Sequence, residues 1–161
     1  MVPLAMNNNT SDNAGVVTIP PIIYLVGLLL GLLLHYLYPV KFIPPAISVW
    51  SGVLLVLMSV LMVLSALLAF RRVGTSPDVH KPTTAISTDG IYRWSRNPMY
   101  ISLALLYLGI AAWVNSLWIP LLLIPVLFVV DQGVIKREER YLEEKFGDEY
   151  LRYKSQVRRW I

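Results

Sequence analysis

The chain has 161 residues, 56% of them hydrophobic and only 15% charged, where a soluble domain carries about 25% charged residues. A soluble fold of this length must turn a large share of its residues to water, so this composition excludes a soluble enzyme domain, and its apolar character excludes disorder. There is no cysteine, which removes disulfides, zinc–thiolate centres, iron–sulfur clusters and cysteine nucleophiles, and the net charge of +4 is unevenly placed.

Residues 1–18 read as a polar N-terminal tail with Asn7, Asn8, Asn9, Thr10 and Ser11, and residues 19–161 as a single domain. Ile19 to Tyr38 is 20 residues without a formal charge, interrupted only by His35, and predicts a first membrane span at 19–38. No Lys or Arg precedes it and no small-residue cleavage site follows, so it is not read as a removable signal peptide. Within it Gly27 and Gly31 form a G-x-x-x-G helix-packing face, which admits close packing inside the chain or a dimer. Ala46 to Phe70 is 25 residues with no charge and predicts a second span at 46–70. Met99 to Val130 is 32 uncharged residues, too long for one span at about 1.5 Å per residue. Asn115-Ser116 near its middle is a natural turn. It divides the stretch into a span at 98–114, with Pro98 as first helical residue, and one at 117–135, provided Asp131 and Gln132 are shielded from lipid. The predicted fold is an all-α integral membrane protein of four transmembrane helices, the last two a tight hairpin.

After the fourth span comes a helical cytoplasmic tail, 136–161, with Gly147 as a helix C-cap. Asp148 is expected to N-cap a second short helix whose Tyr150, Tyr153 and Val157 form an apolar stripe opposite Arg152, Lys154 and Arg158. Such a helix is expected to lie on an anionic membrane surface. Orientation follows from the basic residues: of 14 Lys and Arg, only Lys41 falls between the first two spans. The other thirteen lie in the 71–97 loop or after the fourth span, which puts that face and both termini in the cytoplasm.

That face holds the chemistry-bearing residues. Two histidines and no G-x-S-x-G argue against Ser-His-Asp hydrolysis, no clustered ligands suggest a metal, and neither a G-x-G-x-x-G nor a P-loop occurs. Nothing points to a nucleic acid. What remains is Gly90-x-Tyr92 and Arg96-Asn97-Pro98-x-Tyr100 ahead of the third span. After the fourth comes Glu138-Glu139-x-x-Leu142-x-x-x-Phe146-Gly147-x-x-Tyr150-x-x-Tyr153.

In this order and spacing, from about Thr75 to Trp160, the chain resembles the isoprenylcysteine carboxyl methyltransferase family with its phospholipid methyltransferase relatives. The resemblance implies a multi-pass membrane enzyme that transfers a methyl group from S-adenosyl-L-methionine to a lipidic acceptor at the cytoplasmic membrane face. It implies cofactor contacts at Thr84, Ala85, Ile86, Ser87, Tyr92 and Asn97, with Pro77 upstream, and at Glu138 supported by Glu139. Arg96, Pro98 and Tyr100 match the motif that shapes the pocket wall, and Arg96, Asn97 and Tyr100 are the candidate catalytic residues. The chemistry agrees: an ammonium, a ribose diol and a sulfonium want a carboxylate, carbonyls and aromatic faces. In-line methyl transfer needs positioning and exclusion of water more than a strong acid or base.

Two positions depart from the family. Asn97 stands where the family often has His, removing a titrating imidazole that His80 is the only nearby residue to replace. Val134 stands where prenylcysteine enzymes carry an Arg for the substrate's carboxylate, so the resemblance supports the methyl donor better than a prenylcysteine acceptor. A phospholipid amine or another isoprenoid lipid is open as acceptor. An NADPH-dependent sterol-type reductase and a non-catalytic membrane partner protein are the readings from other classes. The topology is checked by single cysteines at Ser76 and Ser155: both should react in intact cells with a membrane-permeant thiol reagent only, and labelling of either by an impermeant one overturns it.

Overall fold

The structure, a computed structural model, describes residues 15, 19–75 and 82–161. The described residues form α1 (Pro20–Leu37), α2 (Pro45–Val73), a 3-10 turn (Gly90–Arg93), α3 (Pro98–Val114), α4 (Trp118–Val130), a π-turn (Asp131–Ile135), α5 (Lys136–Phe146) and α6 (Asp148–Gln156). The fold is all-helical, and α4, the π-turn and α5 run on as one helix of 29 residues. Three helices are long and apolar enough to cross a membrane: α1, α2 and the Trp118–Phe146 helix. α3 is apolar but shorter, at 17 residues. Each of α1, α2 and α3 begins with proline, whose missing N–H would have lacked an intrahelical partner there anyway. α2 runs three residues past Phe70, taking in Arg71 and Arg72, whose charges suit a helix C-terminus, and stops at Gly74 with φ 69°.

The outer surfaces of α1 and α2 carry exposed Leu25, Leu29, Leu33, Leu54, Leu57 and Leu61. Lipid supplies no hydrophobic drive between such helices, so they associate where small residues let backbones approach. α2 and α3 make the most extensive helix pair. Its seam is Gly52 against Gly109 and Trp113, with Ser48 Oγ donating to Ala112 O at 2.6 Å and Ser59 Oγ to Ser102 O at 2.7 Å. α1 packs on α4: Gly27 faces Val126 and Tyr107, and Gly31 faces Ile119. The G-x-x-x-G face is thus filled from within the chain.

At the bundle end away from the motifs, one side chain ties the two connections together. Asn115 ends α3 in the left-handed region, φ 55°. Its Oδ1 accepts the Phe42 and Ile43 N–H groups, each at 3.0 Å, and its Nδ2 donates to Ile43 O at 2.7 Å. The predicted turn is therefore also the clamp on the α1–α2 loop.

The tail departs from expectation in two ways. Gly147, φ 52°, is the C-cap of α5 as expected but also takes the N-cap position of α6, so Asp148 is its first helical residue, where its charge suits the helix N-terminus without a side-chain cap. The apolar stripe of α6 turns inward, not onto a membrane surface: Tyr150 and Tyr153 are buried in a cluster with Ala66, Ala69 and Tyr92, with Val157 packed against it. The Tyr153 hydroxyl donates to Tyr92 O at 2.7 Å. The stripe is buried because the end of α2 and the 3-10 turn offer it a protein partner.

A Cβ at Gly52 would sit 2.9 Å from Gly109 O, from Trp113 N and from Trp113 Cβ, and backbone atoms cannot swing aside. Gly52→Ala should therefore lose about 1–3 kcal/mol by overpacking, while the exposed Leu54→Ala changes little; thermal unfolding in detergent reads the difference.

Candidate functional site

The motifs meet at the end of the bundle where α2 stops and α3 starts. The chain returning towards the 3-10 turn is pinned between α2 and α5. Thr84 N–H donates to Thr75 Oγ1 at 3.1 Å, Thr84 Oγ1 to Gly74 O at 3.2 Å, and Thr83 N–H to the Tyr141 hydroxyl at 3.2 Å. Gly90, φ 61°, turns the chain into the 3-10 turn, which sets Tyr92 against Phe70 with ring centroids 5.2 Å apart. Residues 95–97 then meet the end of the tail. Arg96 N–H donates to Arg158 O at 3.0 Å, Ser95 Oγ to Arg159 O at 3.2 Å and Asn97 Nδ2 to the same carbonyl at 2.9 Å. Trp160 packs against the cluster that holds Tyr24, Tyr100 and Tyr107.

These segments enclose one cavity. Ala85, Ile86, Ser87, Tyr92, Arg96, Asn97, Tyr100, Glu138 and Glu139 all line it, so the structure brings together nearly every residue singled out in the sequence. Thr84 is not among them; it is exposed and spent on the Gly74 carbonyl. Pro77 and His80 lie outside the described residues. Sequence reasoning missed the apolar and aromatic walls supplied by Phe70, Met99, Tyr141, Leu142, Tyr150 and Tyr153. The Tyr-x-x-Tyr spacing in α6 was the available signal for the last two.

The adjacent glutamates have different surroundings. The apolar part of the Trp118–Phe146 helix ends at the π-turn, since eight of the eleven residues of α5 are charged. Glu138, beyond it, accepts the Tyr100 hydroxyl at 2.6 Å. Burial pushes its pKa from 4.5 to about 7, the Tyr100 hydrogen bond acting downwards and the Glu139 charge adding to the rise. Glu139 points elsewhere on the helix and is buried. Arg159 grips both its oxygens, Nε to Oε1 at 3.0 Å and Nη2 to Oε2 at 2.7 Å, and Arg96 Nη2 lies 3.2 Å from Oε1. Arg159 also pairs with Asp131 at 3.3 Å, and its pKa is raised first by the hydrogen bonds to Glu139. The shielding that Asp131 needs is thus supplied by the tail. Gln132 is exposed, donating to Asp131 at 2.9 Å and accepting from Lys136 at 2.7 Å. Glu138 is left as the carboxylate whose one partner among the described residues is a hydroxyl.

A family model describing phospholipid methyltransferases matches residues 47–149, from the start of α2 into α6, and the chain belongs to that family. An uncharacterized protein of Haemophilus influenzae is 51% identical over 65 residues, which is 39% of this chain and the whole of that protein. No solved structure matches the chain significantly. Membership and the apolar helices support a membrane methyltransferase acting on lipid-like substrates.

The raised pKa of Glu138 makes a stability prediction. The folded protein holds this proton up to about pH 7, whereas the unfolded chain releases it near 4.5. Stability of the ligand-free protein should therefore fall as pH rises between those values and level off above. Glu138→Gln keeps an acceptor for Tyr100 and should flatten the fall, leaving the variant more thermostable than the parent at pH 8. Parallel melting curves from pH 4.5 to 8 check this, and equal slopes would refute it.

Proposed function

We propose that the protein transfers a methyl group from S-adenosylmethionine to the amine of a phospholipid, at the cytoplasmic face of a membrane that it crosses four times with both termini inside. The observation that carries this reading is Glu138 in the cavity, ringed by Tyr92, Tyr100, Tyr150 and Tyr153, in a chain of the phospholipid methyltransferase family. A carboxylate among aromatic faces suits a ligand bearing an ammonium and a sulfonium. When bound, S-adenosylmethionine supplies the electrophilic methyl carbon. The residues of the chain bind and orient: Glu138 holds the ammonium, the tyrosine rings face the cationic end, and the pinned 83–87 segment with α6 keeps water out.

The acceptor reading rests on position 134. Val134 is fully buried in the bundle core, so no cation there greets a prenylcysteine carboxylate. The amine of a phospholipid needs none. The apolar Phe70, Met99 and Leu142 in the wall suit acyl chains arriving from the bilayer while the water-soluble donor arrives from the cytoplasm.

Calorimetry with S-adenosylhomocysteine in detergent tests the donor. Glu138→Gln should bind about 10- to 150-fold more weakly than the parent. Glu144→Gln, exposed on the same helix, should lose less than about threefold, the scale of a screened surface charge. Equal losses, or no binding by the parent, would overturn the reading. For the acceptor, transferred methyl label should stay non-volatile after mild alkali, as an N-methyl group on the headgroup does even when the acyl chains are saponified; release as volatile methanol would mark a methyl ester and the prenylcysteine-type reaction.

A further inference from the structure

Six buried side-chain polar atoms lack a hydrogen-bond partner among the described residues, and three of them belong to the wall of one cavity: Ser87 Oγ, Arg96 Nε and Arg96 Nη1. Buried polar groups are nearly always paired, because an unmet donor is destabilising. All three of these can donate, and a guanidinium can do nothing else. The Arg96 side chain is 8% exposed, and its one ion-pair contact among the described residues, Nη2 to Glu139, is to a carboxylate already gripped on both oxygens by Arg159. The Tyr150 phenol lies close enough to take up one guanidinium N–H, which still leaves Nε and Nη1 unmet among the described residues. Folding has therefore placed a buried cation with spare donors in the same cavity as Glu138.

We propose that Arg96 and Ser87 form an oxyanion subsite, so that the cavity is built for a zwitterion: an ammonium on Glu138 and a carboxylate or phosphate oxygen on Arg96 and Ser87. The inference rests on the reading of this cavity as the site of methyl transfer and gives Arg96, until now a wall and candidate catalytic residue, a binding role. Two molecules of that reaction carry the required pair of charges, the methionine end of the donor and a phosphoethanolamine headgroup.

The experiment compares ligands that differ by one charge. S-adenosylhomocysteine, its decarboxylated analogue and glycerophosphoethanolamine are titrated into the full chain in detergent, for the parent, Ser87→Ala and Arg96→Lys. If the subsite holds the donor, the parent prefers S-adenosylhomocysteine over the decarboxylated analogue by about 10- to 100-fold. Both variants then shrink that ratio towards one without changing affinity for the decarboxylated compound. If it holds the headgroup, the parent shows no such ratio, and both variants instead weaken glycerophosphoethanolamine by a similar factor. Either result supports the subsite and names its occupant. No effect of either variant on either ligand overturns it, while intact S-adenosylhomocysteine binding by the parent would leave the donor reading standing. Failure of the parent to bind S-adenosylhomocysteine removes the donor reading, and the subsite is then decided by the headgroup titration. Ser87 Oγ has no partner to lose among the described residues, so Ser87→Ala keeps the test decisive if Arg96→Lys fails to fold.

Discussion

Glu139 is the carboxylate on which the site end of the molecule closes. It sits on α5, yet its two oxygens are held by Arg159 from the tail and one of them also by Arg96 from the segment before α3. Three stretches of chain that are far apart in sequence are thereby joined at one buried charge. Removing one partner from such an arrangement leaves another charge buried and unmet, which costs about 3–5 kcal/mol where burial is complete and less where, as for Arg159, nearly a third of the side chain is exposed. The backbone reinforces the join: the carbonyls of Arg158 and Arg159 take up the Arg96 amide, the Ser95 hydroxyl and the Asn97 amide side chain.

This explains how two neighbouring glutamates divide their work. A residue bound by two guanidiniums cannot also be the flexible acceptor of a ligand, and Glu139 is fixed. Glu138, held by one tyrosine hydroxyl, is kept partly protonated by burial and gains from a cation. Burial disfavours its charged form, a cost that a bound cation would offset. Packing deeper in the bundle makes the arrangement possible, because the Gly52–Gly109 and Gly27–Val126 contacts set the spacing of the helices whose ends carry Arg96, Tyr100 and Glu138.

Much of this was legible from the amino-acid order. Charge-free runs marked α1, α2 and the α3–α4 hairpin to within a few residues, because a membrane interior tolerates little else. The cavity residues were legible through motif spacing, since Tyr92, Asn97, Tyr100 and Glu138 occur as recognisable clusters. The strap was not. Arg159 is one of several basic residues in the tail, and periodicity cannot say which arginine turns back to a carboxylate 20 positions earlier. α6 misled for a related reason: an amphipathic pattern shows that a face will be buried, not whether protein or lipid buries it. Asn97 read as a lost imidazole, whereas its amide holds the tail to the motif, a task for a hydrogen bond rather than a titrating group.

The π-turn at Asp131–Ile135 gives the Trp118–Phe146 helix a reserve of length. A π-turn is an α-helix carrying one residue too many, absorbed locally. Deleting a residue within it can close the turn into regular α-helix and leave α5 in phase, with Glu138 still beneath Tyr100 and Glu139 still towards Arg159. The same deletion at another point between Trp118 and Arg137 would rotate everything after it by roughly 100°, one step of 3.6 residues per turn, and carry both glutamates off their partners. Length variation in this stretch is therefore tolerated at one place, and that place lies directly between the apolar part of the helix and the part that builds the cavity.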